Sequence, residues 1–289
     1  MKPAPFAYHA PTTVADACAL LAEHGDDAKV LAGGQSLVPL LALRLARFAH
    51  LVDLNRVPGI SGIRRVNGSL EVGAMTRQAV AERSDLVKAV PLLAQAVPLI
   101  GHFQIRNRGT VGGSIAHADP ASELPAVALA LDATMVVASP SGERTVPAAS
   151  FFVSTWTTSL GAEDVLTAVR FPVWEGRTGF AVEEFARRSG DFAVAGAACA
   201  VSVASGDRVE RAAIALFGMG PTPLRAADAE AALAGAAVSG ADLAEIGQLA
   251  VRGTDPPDDL HGSSSYRHKV GAHLVTRALT RALEEASHG

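Results

Sequence analysis

Apolar positions fall along the chain in short runs broken by glycine and proline, and the period of each run sets the element expected there. Lys29-Val30-Leu31-Ala32 is a short apolar run, ended by Gly33-Gly34-Gln35. Ser36 can cap a helix that holds Pro39 in its first turn and includes Leu40 to Leu45, and His50 to Leu54 reads as a second strand. A strand, glycine turn, helix and strand in that order predict a small parallel sheet. Ile60 to Arg65 and Ser69 to Val72 then flank Asn67-Gly68, whose tolerance of positive φ signals a hairpin, so the chain turns antiparallel.

From Thr76 to about Leu99 the spacing is helical, with interruptions at Pro91 and Pro98. A second glycine cluster follows at Gly109-Thr110-Val111-Gly112-Gly113-Ser114 and reads as a turn, ahead of a helix over Ser122 to Leu131. Ala133 to Ser139 and Val165 to Phe171 are predicted strands, with a Pro140-Ser141-Gly142 turn after the first. Trp174-Glu175-Gly176-Arg177 is the candidate domain boundary. Beyond it, Ala198 to Ala204 and Val209 to Phe217 form a hairpin about Ser205-Gly206-Asp207, and alanine-rich helices follow over about 226–236, 240–252 and 264–286. No fixed period links these segments, so the alanine excess is compositional and not a repeat.

Composition narrows the function classes. With 289 residues, 49% hydrophobic and 19% charged, the chain has the apolar material for more than one domain. A net charge of -4 offers no basic field to gather a phosphodiester backbone, so no nucleic-acid partner is expected. Cys18 and Cys199, the only two cysteines, cannot form a four-thiolate zinc site or iron–sulfur cluster. The first residues, Met1-Lys2-Pro3-Ala4-Pro5-Phe6, open with prolines and lack an apolar run, and no membrane span is evident. A cytoplasmic location is the expectation.

The candidate chemistry lies in the two glycine segments. Glycine lets backbone N–H groups approach an anion closely, and a helix N-terminus adds a favourable dipole. Ala32-Gly33-Gly34-Gln35-Ser36 and Thr110-Val111-Gly112-Gly113-Ser114, 78 residues apart from Gly34 to Gly112, are therefore expected to grip the two phosphates of a dinucleotide. Neither segment completes G-x-G-x-x-G, no G-x-x-x-x-G-K-[ST] occurs, and no serine sits in a G-x-S-x-G elbow. His117, Asp119 and Glu123 do not match a metal-ligand spacing such as H-E-x-x-H; Asp119 or Ser122 suits a cap on the following helix, alongside a cofactor contact.

Ala32-Gly33-Gly34-Gln35-Ser36-Leu37, Gln104 to Ser114 and His117-Ala118-Asp119-Pro120 resemble the paired FAD motifs of molybdenum-hydroxylase flavoprotein subunits, in particular the medium subunits of aerobic carbon monoxide dehydrogenases and their xanthine dehydrogenase relatives. The resemblance continues through Arg187-Arg188-Ser189-Gly190-Asp191-Phe192 and Ser265-Tyr266-Arg267, and so covers essentially the whole chain. It implies a mixed α+β (α/β) architecture with a vanillyl-alcohol-oxidase-type FAD-binding fold. That fold would comprise an N-terminal α/β subdomain over residues 1–58, a second α+β subdomain over 59–175 and a C-terminal domain of antiparallel sheet and helices over 176–289.

In that family the stretches matching 32–36 and 110–114 hold the FAD pyrophosphate. The acidic position matching Glu123, often Asp in relatives, contacts the nucleotide portion. Ile100 and Leu166 match apolar positions lining the flavin, and both also suit an ordinary core. Phe192 occupies an aromatic position near the isoalloxazine where some relatives carry Tyr, next to Asp191 of the same motif; a core side chain is its alternative. Arg187 and Arg188 suit a solvated charge pair, or positive charge near the cofactor or an interface.

The resemblance further implies two partner chains, a large subunit with molybdenum on molybdopterin cytosine dinucleotide and a small subunit with two [2Fe-2S] clusters, assembled as a dimer of heterotrimers. FAD on this chain would pass electrons from those clusters to an external acceptor, with no protein residue acting as an acid–base catalyst. The alternatives are a stand-alone flavin oxidase and a cofactor-less assembly subunit of the same fold. Intact glycines at 33, 34, 112 and 113 argue against the latter.

Overall fold

A computed structural model describes residues 2–288; Met1 and Gly289, at the outer ends of the terminal segments read above, lie outside the described residues. The N-terminal elements are β1 (Ala7–His9), α1 (Val14–His24), β2 (Ala28–Leu31), α2 (Leu37–Ala42) and β3 (His50–Asp53). They make a three-stranded parallel sheet in the order β1-β3-β2. Thr13 starts α1 by accepting the Asp16 N–H at 3.0 Å, and Ala17, Cys18 and Leu21 fall on one helical face and bury against Val52 and Leu54. β1 and α1 were not expected, since a three-residue strand shows too little alternation to read. Ser36 is already in the αR region (φ -98°, ψ -48°) and its side chain takes no helix N–H, so the expected cap is absent.

The next unit contains β4 (Ile63–Val66), β5 (Ser69–Gly73), α3 (Gln78–Arg83), α4 (Pro91–Ala96), α5 (Phe103–Arg108), α6 (Val111–His117) and α7 (Glu123–Ala130). It continues with β6 (Thr134–Ser139), β7 (Gly142–Pro147), α8 (Ala148–Phe151), β8 (Phe152–Ser154), β9 (Thr157–Thr158) and β10 (Val165–Pro172). Five strands form an antiparallel sheet in the order β4-β5-β10-β6-β7, and β8 pairs with β9. Asn67 (φ 46°) and Gly68 (φ 75°) both sit at positive φ, as the expected hairpin requires. The second glycine cluster departs from expectation, because Gly112 and Gly113 lie in the first turn of α6 and not in a turn ahead of it. Every residue of α7 is buried, which a helix apolar on all sides requires.

After an unpaired stretch through Trp174 and Gly176 come β11 (Thr178–Phe185), β12 (Ala195–Ala204), β13 (Arg208–Phe217), β14 (Leu224–Arg225), α9 (Ala227–Leu233), α10 (Leu243–Val251) and α11 (Ser264–His288). The four strands run antiparallel in chain order. Alternation along β12 sends Ala197, Cys199 and Val201 to the face covered by α11, while Ala198 and Ala200 face the other way and join the core around α7. Arg267, only 4% exposed, fastens the start of α11 by donating both Nη2 hydrogens to Asp259 at 2.8 Å and Nη1 to the Val194 carbonyl. Among the described residues no helix is long and apolar enough to cross a membrane.

Candidate functional site

The first glycine segment leaves the carboxyl end of β2 and runs straight into α2. Gly34 adopts φ +75°, which reverses the chain between strand and helix and favours glycine. Among the described residues, no backbone acceptor in the chain takes the N–H groups of Gly33, Gly34, Gln35, Ser36 or Leu37. Consecutive unclaimed donors at the end of a parallel strand suit an anion with several oxygens. Gln35 is exposed and its amide donates to the Gly33 carbonyl at 3.3 Å, which braces the segment from within.

The second segment is arranged differently. Val111 N–H donates to the Thr76 carbonyl at 2.9 Å, Gly112 N–H to Ala74 at 2.8 Å, Gly113 N–H to Thr110 Oγ1 at 3.0 Å and Ser114 N–H to the Thr110 carbonyl at 3.1 Å. Its donors are therefore claimed, and the expectation that both segments present free amides holds only for the first. What the second supplies is close approach. A Cβ on Gly112 would fall 2.6 Å from Ala74 Cα, one on Gly113 would meet Ala32 Cβ at 3.4 Å, and one on Gly33 would fall 2.8 Å from Gly109 Cα. Gly33 thus lets the first segment meet Arg108 and Gly109 backbone to backbone, Gly113 lets α6 lie against the Ala32 side chain, and Gly112 lets it lie against Ala74 just beyond β5.

Residues that the sequence did not single out hold this junction. Asp53, at the end of β3, accepts from Asn55 Nδ2 at 2.5 Å and from Tyr8 Oη at 2.5 Å, and Asn55 donates in turn to the Ala32 carbonyl at 3.0 Å. Arg77 donates to Asn55 Oδ1 at 2.5 Å and to the Arg108 carbonyl, bridging the two segments. The hydrogen bond from Tyr8 to the Asp53 carboxylate pushes the Tyr8 phenol up. Burial, then the Arg108 charge, lowers Arg77. No spacing rule finds Asn55 or Arg77, because both act through contacts that only the fold creates.

His117 ends α6, and its ring lies parallel to that of Trp156 with centroids 6.5 Å apart. Burial lowers its pKa, with the Lys29 charge acting in the same direction and Asp119 opposing. Asp119 accepts the Ala121 N–H at 2.9 Å and Trp156 Nε1 at 3.0 Å, so it shapes the turn ahead of α7 without capping the helix, and Ser122 makes no side-chain cap either. Glu123 opens α7 and is buried; burial pushes it up to about 8, with further elevation from Glu184 and Asp119. Glu184, on β11, is raised by burial to about 7, and its Oε2 has no hydrogen-bond partner among the described residues. Near neutral pH, Glu123 is an acid that carries its proton and can donate a hydrogen bond.

Ile100 is partly buried against the core of the second unit, and Leu166 is buried within it on β10. Asp191 accepts from Arg188 Nε at 3.0 Å, and Arg187 donates to the Leu260 carbonyl at 3.3 Å, so both arginines make surface contacts. Phe192 is 59% exposed, which removes the alternative of a core side chain. The loop carrying it leans on the second unit at Gly190 (φ +81°), where a Cβ would come within 2.7 Å of His102 Cε1. Beside this contact opens a cleft of about 470 Å³ lined by Pro98, Gly101, His102, Phe103, Arg106 and Ser189.

A family described as the FAD binding domain in molybdopterin dehydrogenase matches residues 4–174, and one described as the CO dehydrogenase flavoprotein C-terminal domain matches residues 180–282. The chain belongs to the FAD-binding medium subunits of the molybdenum hydroxylases. It is 44% identical to the 6-hydroxypseudooxynicotine dehydrogenase complex subunit alpha of Paenarthrobacter nicotinovorans, over 99% of this chain and 97% of that protein. It is 42% identical to the carbon monoxide dehydrogenase medium chain of Hydrogenophaga pseudoflava, over 98% of each. A solved carbon monoxide dehydrogenase from Hydrogenophaga pseudoflava superposes with a TM-score of 0.96 at 43% identity over 99% of both chains. Quinoline 2-oxidoreductase from Pseudomonas putida 86 gives 0.91 at 37% identity over 99% of both chains. This is an oxidoreductase family, and its cofactor is FAD. The unclaimed amides of residues 33–37 are the donors a pyrophosphate needs, so the residues present fit the group.

Proposed function

We propose that this chain is the electron-transfer flavoprotein subunit of a multi-subunit molybdenum hydroxylase. The observation that carries this reading is the run of unclaimed backbone N–H groups from Gly33 to Leu37, held against Arg108 and Gly109 by the glycine contact. FAD, when bound, supplies redox chemistry between [2Fe-2S] clusters on a small partner subunit and an external acceptor such as a quinone, NAD or oxygen. The protein binds and orients. Gly33, Gly34, Gln35, Ser36 and Leu37, led into by Ala32, present amides to the pyrophosphate, while Thr110, Val111, Gly112, Gly113 and Ser114 form the wall beside them. Protonated Glu123 donates to the nucleotide portion, with His117 and Asp119 on the turn leading to it. Ile100, Leu166, Asp191 and Phe192 shape the flavin end, where exposed Phe192 offers a face for stacking.

Cys18 and Cys199 are buried free thiols on different elements, which leaves this chain without the ligands for either partner cofactor. The large subunit, with molybdopterin cytosine dinucleotide, and the small iron–sulfur subunit complete a dimer of heterotrimers. Relatives are named for carbon monoxide, caffeine, nicotine and glyceraldehyde, a breadth that fits substrate choice on the large subunit and not on this one.

The test is an absorption spectrum of the purified chain after incubation with FAD and removal of excess, with the released cofactor identified by chromatography. A flavin band at about 450 nm with released FAD supports the reading. Absence of FAD from both the isolated chain and the co-expressed complex overturns it in favour of an assembly subunit. Substrate turnover by the isolated flavoprotein overturns it in favour of a stand-alone oxidase.

A further inference from the structure

On the small parallel sheet, three histidines from three elements meet. His9 ends β1, His24 ends α1 and His50 opens β3. One ring nitrogen of each lies within 4.8 Å of those of the other two, and all three residues are half-buried. His9 Nε2 and His50 Nδ1 are 3.0 Å apart, the rings of His24 and His50 stack at 3.6 Å, and the His9 ring centroid is 5.3 Å from each of them. Asp53, at the far end of β3, pairs with Leu31 just before the glycine segment, so His50 stands about 10 Å along the strand from that rung at ~3.3 Å per residue, while His9 pairs with Val52, one rung from it.

The arrangement is suited to a cation. Imidazole nitrogens converge here from residues up to 41 positions apart, and His9–His50 is their one mutual hydrogen bond among the described residues. Beside them opens a cleft of about 430 Å³ lined by His9, Pro11, Asp16 and Glu23, among others. A carboxylate stands at its edge, with Glu23 Oε1 4.0 Å from His24 Nε2. Three imidazoles, one carboxylate and access for solvent form a donor set matched to borderline ions. With metal–nitrogen bonds of about 2.0–2.1 Å, tetrahedral ligands stand about 3.3–3.4 Å apart, so His9 and His50 are already near that separation. Only His24 has to turn from stacking on His50 to pointing a nitrogen at the shared centre.

We propose that His9, His24 and His50 bind one divalent transition cation of the zinc class, with Glu23 and solvent completing its coordination. The bound ion cross-links β1, α1 and β3, and so clamps the sheet that carries the glycine segment. Its ligands include no residue of that segment, and the proposal stands or falls apart from the FAD reading.

The experiment uses the full chain with FAD and without an affinity tag, stripped with a chelator, returned to Zn2+ and desalted before metal analysis. Co2+ in a parallel sample reports coordination through its visible d–d bands. One Zn2+ per chain is expected, with retention weakened at least about 10-fold in His24→Gln and in the corresponding His9 and His50 variants, and FAD content unchanged. Glu23→Gln is expected to weaken binding less than any histidine variant. If the wild type retains no Zn2+, or if His24→Gln retains as much as the wild type, the site does not exist. His24 is the last residue of α1, so its variant keeps the fold and remains decisive even where a triple variant unfolds.

Discussion

Gly33→Ala tests the junction on which the site depends. The added Cβ would lie 2.8 Å from Gly109 Cα and 3.0 Å from the Arg108 carbonyl carbon, and all of these atoms are backbone. Nothing there can rotate aside. Restoring ordinary contact separates the two segments by at least about 0.6 Å. Overpacking of this kind costs about 1–3 kcal/mol, which in a domain of this size lowers Tm by a few degrees. The amides of residues 33–37 are carried off line by the same shift. A charge-assisted hydrogen bond is worth about 1.5–3 kcal/mol, so misaligning one such bond weakens FAD binding by about 10- to 100-fold. The assay is titration of the apo-chain with FAD, following the flavin fluorescence, alongside thermal unfolding. Gly253→Ala is the control, since its Cβ meets nothing within 4 Å and its φ is not positive. If Gly33→Ala binds FAD as the wild type does, the amides of this segment are not the pyrophosphate donors.

Further outcomes are expected. Glu123, raised to about 8 from 4.5, keeps in the folded state a proton that the unfolded chain releases, so stability falls as pH rises through that window. Glu123→Gln should gain apo-protein Tm relative to wild type between about pH 5 and pH 8, and a difference that stays flat across the window would refute the burial argument. Arg267→Met removes the buried clamp on Asp259 and the Val194 carbonyl and should cost about 2–4 kcal/mol by urea unfolding, less than a fully buried pair because Asp259 is partly exposed. Thr110→Val strips the acceptor from Gly113 N–H and should cost about 1 kcal/mol, whereas Ser36→Ala, which removes no cap, should stay within about 0.5 kcal/mol. Equal losses in those two variants would show that the caps are assigned wrongly.

Much of this protein was legible along the chain because the signals are local. The Asn67-Gly68 hairpin, the β12–β13 pair about Ser205-Gly206-Asp207 and the long final helix each follow from a turn residue or a periodicity contained in one stretch of sequence. Glycine pairs flanked as at 33–34 and 112–113 likewise carry the family resemblance, since a backbone that must approach another backbone tolerates nothing larger. What the pairs do was decided only in three dimensions. The same Gly-Gly pattern yields free amides after β2, but amides claimed by Ala74, Thr76 and Thr110 at the start of α6, because only the second pair is packed against the end of β5. Asn55, Arg77 and Glu184 gain their importance from neighbours distant in sequence, and Phe192 was left exposed by the loop that carries it. Residue type and spacing determined the elements and the family; hydrogen-bond satisfaction and burial, which depend on every segment at once, determined which groups remain free for a ligand.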